Sequence, residues 1–249
     1  MCGFVGVLIA SNCGSGQRVE DATALIRGCM SRLRRRGPDA DGLFVNDNLV
    51  LGHTRLSIQD LSDDGNQPLV SCSGETVIAF NGEIYNFKVL RDELLQLGYK
   101  FRSKSDTEVI VNLYECFGID FILRLRGIFS FALWNTRTND LTLVRDRLGI
   151  KPLYVAQTQF GLAFSSEISP LACLPGVDLS LNEQAFSEYL WFGNSFENRT
   201  FYKGIRPIAP GTFVVCKKDE QLVQNYWSPD KQLRDCGFSN NLNFQAKIT

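Results

Sequence analysis

The chain has 249 residues, enough to bury a sizeable core in one large domain or two small ones. Apolar residues make up 44% and charged residues 21%, the balance of a soluble globular enzyme and not of a disordered or fibrous chain. A formal net charge of −1 leaves no basic footprint for nucleic acid or an anionic membrane, so neither is expected as a partner.

The first element is a buried strand over Gly3–Ala10, entered through Met1-Cys2-Gly3-Phe4-Val5-Gly6. If Met1 is removed, Cys2 carries a thiol and a free α-amine on one residue. An α-amine titrates near ~7.7–8.0, so part of it is a free base at cellular pH, and the thiol is the better nucleophile once deprotonated. Cysteine has the small side chain that removal of an initiator methionine generally requires. The apolar run over residues 4–10 is short and has no preceding Lys or Arg, which argues against a signal peptide, and Ser11-Asn12 before Cys13 is a poor lipoprotein context. No stretch approaches the ~18 apolar residues of a membrane span. The eight cysteines lack any Cys-x-x-Cys pair and sit mostly in apolar stretches, so most are expected as buried thiols in a reduced, cytoplasmic setting.

A helix over 20–35 follows, with Ala22, Leu25, Ile26, Cys29 and Leu33 at three-to-four spacing, and the arginines of the Arg32–Arg36 segment are expected as its solvated end. Strands are predicted at 42–46, 49–53 and 75–80. Asn86 is placed to cap a helix burying Phe87, Leu90, Leu94 and Leu97 and stopping at Gly98. Ser105 and Glu108 have capping-box spacing for a helix through Phe117 that ends at Gly118. Residues 129–134 and 141–145 read as a hairpin around Asn135–Asp140. Further strands are predicted at 152–157, 160–165, 212–217 and 221–226, with a helix from Asn182 over 182–191. From Ser228 the chain is polar and weakly patterned, like a linker or junction. Strands grouped around clustered helices imply an α+β architecture of stacked sheets.

Several segments concentrate polar residues in apolar surroundings. His53 is the one histidine; in Leu51-Gly52-His53-Thr54-Arg55-Leu56 it is better read as structural than as a catalytic base, and no metal site is expected. That leaves the Cys2 amine as the more economical base. Asn81-Gly82 lies where a strand gives way to a helix; an Asn amide beside a Gly N–H can stabilise an oxyanion, though the pair alone is usually a turn. Arg55 is placed for a two-pronged contact with a carboxylate. Asp106 opens a helix, where N-terminal capping or complementation of the helix dipole would by itself account for it.

Together these segments resemble the N-terminal-nucleophile, class II glutamine amidotransferase domain of glutamine-hydrolysing asparagine synthetases. The matching motifs are Met1-Cys2-Gly3, Arg36-Gly37-Pro38-Asp39, Gly52 to Ile58, Asn66-Gln67-Pro68, Phe80 to Asn86, Ser105 to Glu108, Gly127 to Trp134, Arg145 to Tyr154 and Phe164 to Glu167. They run in the family's order over roughly residues 1–227, leaving 228–249 as the linker. The resemblance implies a four-layer αββα sandwich and hydrolysis of L-glutamine to glutamate and ammonia. It implies Cys2 as nucleophile, Asn81 and Gly82 as oxyanion hole, and Arg55 on the glutamine α-carboxylate. Asp106 and the Glu83 backbone would hold the α-amine, with Leu56, Ser57, Ile58 and Gln59 lining the pocket. No Ser-Gly-Gly-x-Asp-Ser phosphate loop occurs, so ATP and Mg²⁺ are expected only in an ammonia-accepting synthetase domain outside this chain, and this chain needs no cofactor. A homodimer stays open. The competing readings are a non-catalytic interaction module, against which the joint presence of Cys2, Arg55, Asn81, Gly82 and Asp106 argues, and a redox or degradation signal at Cys2, which leaves those residues unexplained.

Overall fold

Strand β1 (Gly3–Ile9) serves two cores at once, because side chains alternate across a strand. Phe4 points into one apolar cluster and Val5, Val7 and Ile9 into another on the opposite face. The same division runs through the remaining strands of the computed structural model, which describes residues 1–10, 16–217 and 220–235. These are β2 (Ala40–Val45), β3 (Leu49–Arg55), β4 (Leu69–Val70), β5 (Thr76–Ile84), β6 (Gly127–Asn135), β7 (Asp140–Arg145), β8 (Tyr154–Gln157), β9 (Gly161–Ser165), β10 (Ile205–Pro207), β11 (Thr212–Lys217) and β12 (Glu220–Asn225). They form two antiparallel sheets, ordered β10-β8-β9-β1-β3-β2 and β12-β11-β7-β6-β5-β4.

Between the sheets lie Phe4, Leu49, Leu51, Val77, Ala79, Ala132, Trp134, Leu141 and Phe164. Helix α1 (Gly16–Leu33) covers the outer face of the first sheet through Ala22, Ile26, Cys29 and Leu33, beside the short α4 (Ile168–Leu171). Helices α2 (Phe87–Gln96) and α3 (Asp106–Phe117) cover the second sheet, sealing Leu90, Leu94, Val109, Ile110 and Leu113 against Ile78, Phe129 and Phe131. The result is a four-layer αββα sandwich, the α+β fold expected of the sequence. The central strands of both sheets are buried on both faces, which is why they read as continuous apolar runs, whereas the edge strand β12 is exposed throughout. Each fully buried Phe or Leu contributes about 1.5–3 kcal/mol of transfer free energy.

Several expectations need correction. Strand β5 runs to Ile84, four residues past its predicted end, so Asn81-Gly82 is not a turn but lies in register with Ser130 and Phe129 of β6. Asn86 precedes α2 without a side-chain capping bond; its Oδ1 accepts from Arg126 N and its Nδ2 donates to Arg124 O. Leu97 is half exposed, being past the last turn of α2. The capping box at α3 is half formed: Ser105 Oγ accepts from Glu108 N, but the Glu108 carboxylate accepts from Arg102 N and Ser103 N instead of Ser105 N. Helix α1 begins at Gly16 and ends at Leu33. Helix α5 (Glu183–Phe192) starts as predicted, with Asn182 Oδ1 accepting from Ala185 N. Within the weakly patterned segment from Ser228, α6 (Pro229–Asp235) forms. Of the six cysteines among the described residues, all unpaired, only Cys29 and Cys216 are buried; Cys13 and Cys236 lie outside the described residues. No helix among the described residues is long and apolar enough to cross a membrane.

Candidate active site

Because β1 and β3 run antiparallel with Gly3 opposite Thr54, the start of one and the end of the other meet at the same edge. That register places Cys2 beside Arg55 and Leu56. The Cys2 Sγ accepts from Leu56 N at 3.4 Å and faces Leu56 O at 3.6 Å. Burial pushes the thiol up, opposed by the Leu56 N–H, the N-terminal amine and the Arg55 charge. The main chain at Cys2 is fixed as well: Arg36 Nε donates to Cys2 O at 2.9 Å, and Arg36 Nη1 pairs with Glu167 at 2.9 Å. Arg36 is therefore not the solvated helix end expected of it. The Met1 amine donates to Arg36 O at 3.0 Å and is lowered, first by burial and then by the nearby Arg36 and Lys151 charges.

The second sheet supplies the facing wall. Asn81 shares the parity of Val77 and Ala79, so its side chain points toward the first sheet. It is 1% exposed, yet neither its Oδ1 nor its Nδ2 has a hydrogen-bond partner. A buried amide left wholly unpaired is rare, and here it faces the cavity that holds Cys2. Strand β4 is only two residues long and pairs with Val77 and Ile78, so the edge of β5 beyond it is uncovered. Side chains replace the missing strand. Gln67 Oε1 accepts from Phe80 N at 2.7 Å, and Asp106 Oδ2 accepts from Ile84 N at 2.9 Å. Antiparallel geometry sends the intervening Gly82 N–H to the same open edge. Side chains are excluded at Gly82, since a Cβ there would come within 2.3 Å of Ile128 O. His53 completes the clamp: its Nε2 lies 3.1 Å from Phe80 O, and burial pushes its pKa down to about 4, so it is a neutral donor.

Arg55 ends β3 and is 6% exposed. Its Nη1 donates to Ser62 O at 2.7 Å and to Asn66 Oδ1 at 2.8 Å, and its Nη2 donates to Asp60 O. Gly65 packs flat on the guanidinium; a Cβ there would fall 2.3 Å from Nη2. Asp106, in the first turn of α3, is buried, and that burial pushes its pKa up to about 6, assisted by the neighbouring Glu83 charge. Gln59 Nε2 donates to Glu83 Oε1 at 3.4 Å across the mouth.

Cys2, Arg55, Leu56, Ile58, Gln59, Asn81, Gly82, Glu83 and Asp106 thus surround one cavity of about 200 Å³, ample for an amino acid. Of the residues singled out from sequence, Ser57 alone does not line it; its N–H turns away to Asp39 at 2.7 Å. The sequence did not signal Gln67, Asn66, Ser62, Arg36 or Lys151 as parts of the site. All but Ser62 fall within the matching motifs, Gln67 and Asn66 in Asn66-Gln67-Pro68, Arg36 in Arg36-Gly37-Pro38-Asp39 and Lys151 in Arg145 to Tyr154, but with no site role attached to them. A site with a half-buried thiol, an unpaired buried amide and a carboxylate facing a guanidinium is suited to attack on a carbonyl of a zwitterionic ligand.

A profile of the glutamine amidotransferase domain matches residues 1–227. An asparagine synthetase (glutamine-hydrolysing) of Bacillus subtilis, number 2, is 33% identical over 249 residues, covering 97% of this chain and 32% of that protein. Another from the same organism, number 1, is 37% identical over 224 residues, covering 90% of this chain and 34% of that protein. The chain therefore spans about a third of the length of these curated relatives. The glutamine phosphoribosylpyrophosphate amidotransferase structure from B. subtilis superposes with a TM-score of 0.63 at 17% identity, covering 91% of this chain and 49% of that one.

Proposed function

The chain belongs to the glutamine amidotransferase domain family, and on that premise we propose that it hydrolyses L-glutamine to glutamate and ammonia through a thioester on Cys2. Once Met1 is gone, the Cys2 amine takes the thiol proton, directly or through a water. The sulfur attacks the side-chain amide carbon of glutamine, and the carbonyl electrons move onto oxygen. Asn81 Nδ2 and the Gly82 N–H receive that oxyanion. When the intermediate collapses, the C–N bond breaks and the protonated amine hands its proton to the leaving nitrogen, releasing ammonia. Water then attacks the thioester, the C–S bond breaks, and glutamate leaves as the thiol is restored.

Arg55 binds the α-carboxylate, its guanidinium held in place by Ser62, Asn66 and Asp60. Asp106 and the Glu83 main chain hold the α-ammonium, while Leu56, Ile58 and Gln59 line the entrance, with Ser57 turned away in the same loop. None of these steps calls for a cofactor. The ammonia passes to an ATP-dependent synthetase domain like that of the asparagine synthetase relatives, where ATP and Mg²⁺ would act. The observation that carries the reading is the Asn81 amide, buried and unpaired beside Cys2, because it leaves a donor free for charge that appears only during reaction. Glutaminase assay of Cys2→Ala tests it: glutamate release should vanish, and undiminished release rejects the proposal.

A further inference from the structure

The segment Arg145 to Tyr154 has no part in the chemistry described so far, yet it delivers Lys151 to the cavity wall. The main chain there is held on both sides. Asp146, buried, accepts from Leu148 N, Ile150 N and Lys151 N at 3.1, 3.0 and 2.9 Å and from Phe129 N at 3.2 Å. Arg145 donates to Lys151 O at 3.0 Å and Gly149 O at 2.8 Å. Lys151 itself is 8% exposed, and no carboxylate lies within ion-pair distance of it among the described residues. The contact its Nζ makes is with Met1 Sδ, at 2.7 Å. A buried ammonium whose nearest partner is the residue lost on processing points at the N-terminus that processing creates.

We propose that Lys151 is a positioning residue for the nucleophile: its ammonium stands beside the newly exposed Cys2 amine and keeps that amine in the neutral, proton-accepting form. This rests on the glutaminase reading above. Other charges face the same point. Arg36, in the turn after α1, reinforces Lys151 but is paired with Glu167, and Arg55 stands at the end of β3. The Cys2 thiol and Asp39 oppose it at the amine, Asp106 acts on the neighbouring thiol, and Glu83 and Asp146 act on Lys151 itself, the last with its oxygens occupied by main-chain N–H groups. The Met1 amine already feels Lys151 in this sense, and Cys2 lies one residue deeper in the cavity. Charge is what matters in this role, so arginine should replace lysine and an uncharged chain of similar shape should not.

The test compares wild type, Lys151→Met and Lys151→Arg, each shown by intact mass to lack Met1 and by thermal melting to be folded. Glutaminase kcat/KM is measured from pH 6 to 9.5 as its acidic limb reports the amine. An unperturbed amine titrates at ~7.7–8.0, so the wild-type limb should lie below that range. In Lys151→Met it should move up by about one pH unit, giving about a tenfold loss at low pH that closes at high pH, while Lys151→Arg keeps the wild-type limb. An unmoved limb in Lys151→Met overturns the proposal, and so does an Arg variant that behaves like Met. The rate of N-terminal carbamylation by cyanate across the same pH range reads the amine without turnover. A wild type without glutaminase activity would count against the functional reading alone, and the carbamylation curves would still decide the role of Lys151.

Discussion

Asp106→Asn should weaken glutamine binding while making the free protein more stable. In the folded chain, burial and the nearby Glu83 hold the Asp106 proton up to about pH 6, whereas an unperturbed aspartate loses it near 3.8. Between those values the folded state binds more protons than the unfolded one, so stability falls as pH rises and is flat from this group above about 6. The gap of about two pH units corresponds to about 3 kcal/mol lost at neutral pH and above. Asparagine keeps the oxygen that accepts from Ile84 N and carries no charge to desolvate. At pH 8 its melting temperature should therefore exceed wild type by about 6–12 °C, and near pH 4 the two should converge. Binding should move the other way. Losing the carboxylate that faces the substrate ammonium should raise KM on the order of 10²-fold with kcat little changed. Wild-type KM should climb below about pH 6, and the variant's should not. Thermal melts at pH 4 and 8, beside glutaminase kinetics across pH, measure both. A variant less stable than wild type at pH 8, or one with unaltered KM, refutes the reasoning.

Two further substitutions separate turnover from binding. Asn81→Ala removes one oxyanion donor and should lower kcat by ~10²–10³-fold with KM nearly kept; single-turnover release of ammonia reads this directly. Gly65→Ala sets a methyl 2.3 Å from Arg55 Nη2, so the guanidinium must shift, and the effect should fall on KM for glutamine, measurable by the same assay.

Much of the fold was legible because its signals are local. Alternation of apolar residues marked the strands, and Ser105, Asn182 and the glycines at 98 and 118 marked helix ends. The Asn81-Gly82 segment misled because the pair favours turns, while its strand conformation is imposed by β6 and by Gln67 and Asp106, which are distant in sequence. The same holds for Arg36 and Lys151. Arg36 reads as a solvated helix end and Lys151 carries no local mark of a site, and only the juxtaposition of chain segments up to 150 residues apart puts them at Cys2 and Met1. Residues identified by chemical type were findable from sequence. Those that hold other residues in place were not, because their partners are set by tertiary packing.

The central claim is that Cys2, as the N-terminal residue, attacks glutamine in this cavity. Its most direct test is incubation of the protein with a diazo analogue of glutamine, followed by intact mass and peptide mapping. The account predicts one adduct per chain, on the Cys2 sulfur, in chains that have lost Met1, with none in chains that retain it. An adduct elsewhere, equal labelling of chains with Met1 still attached, or an unlabelled Met1-free chain would contradict it.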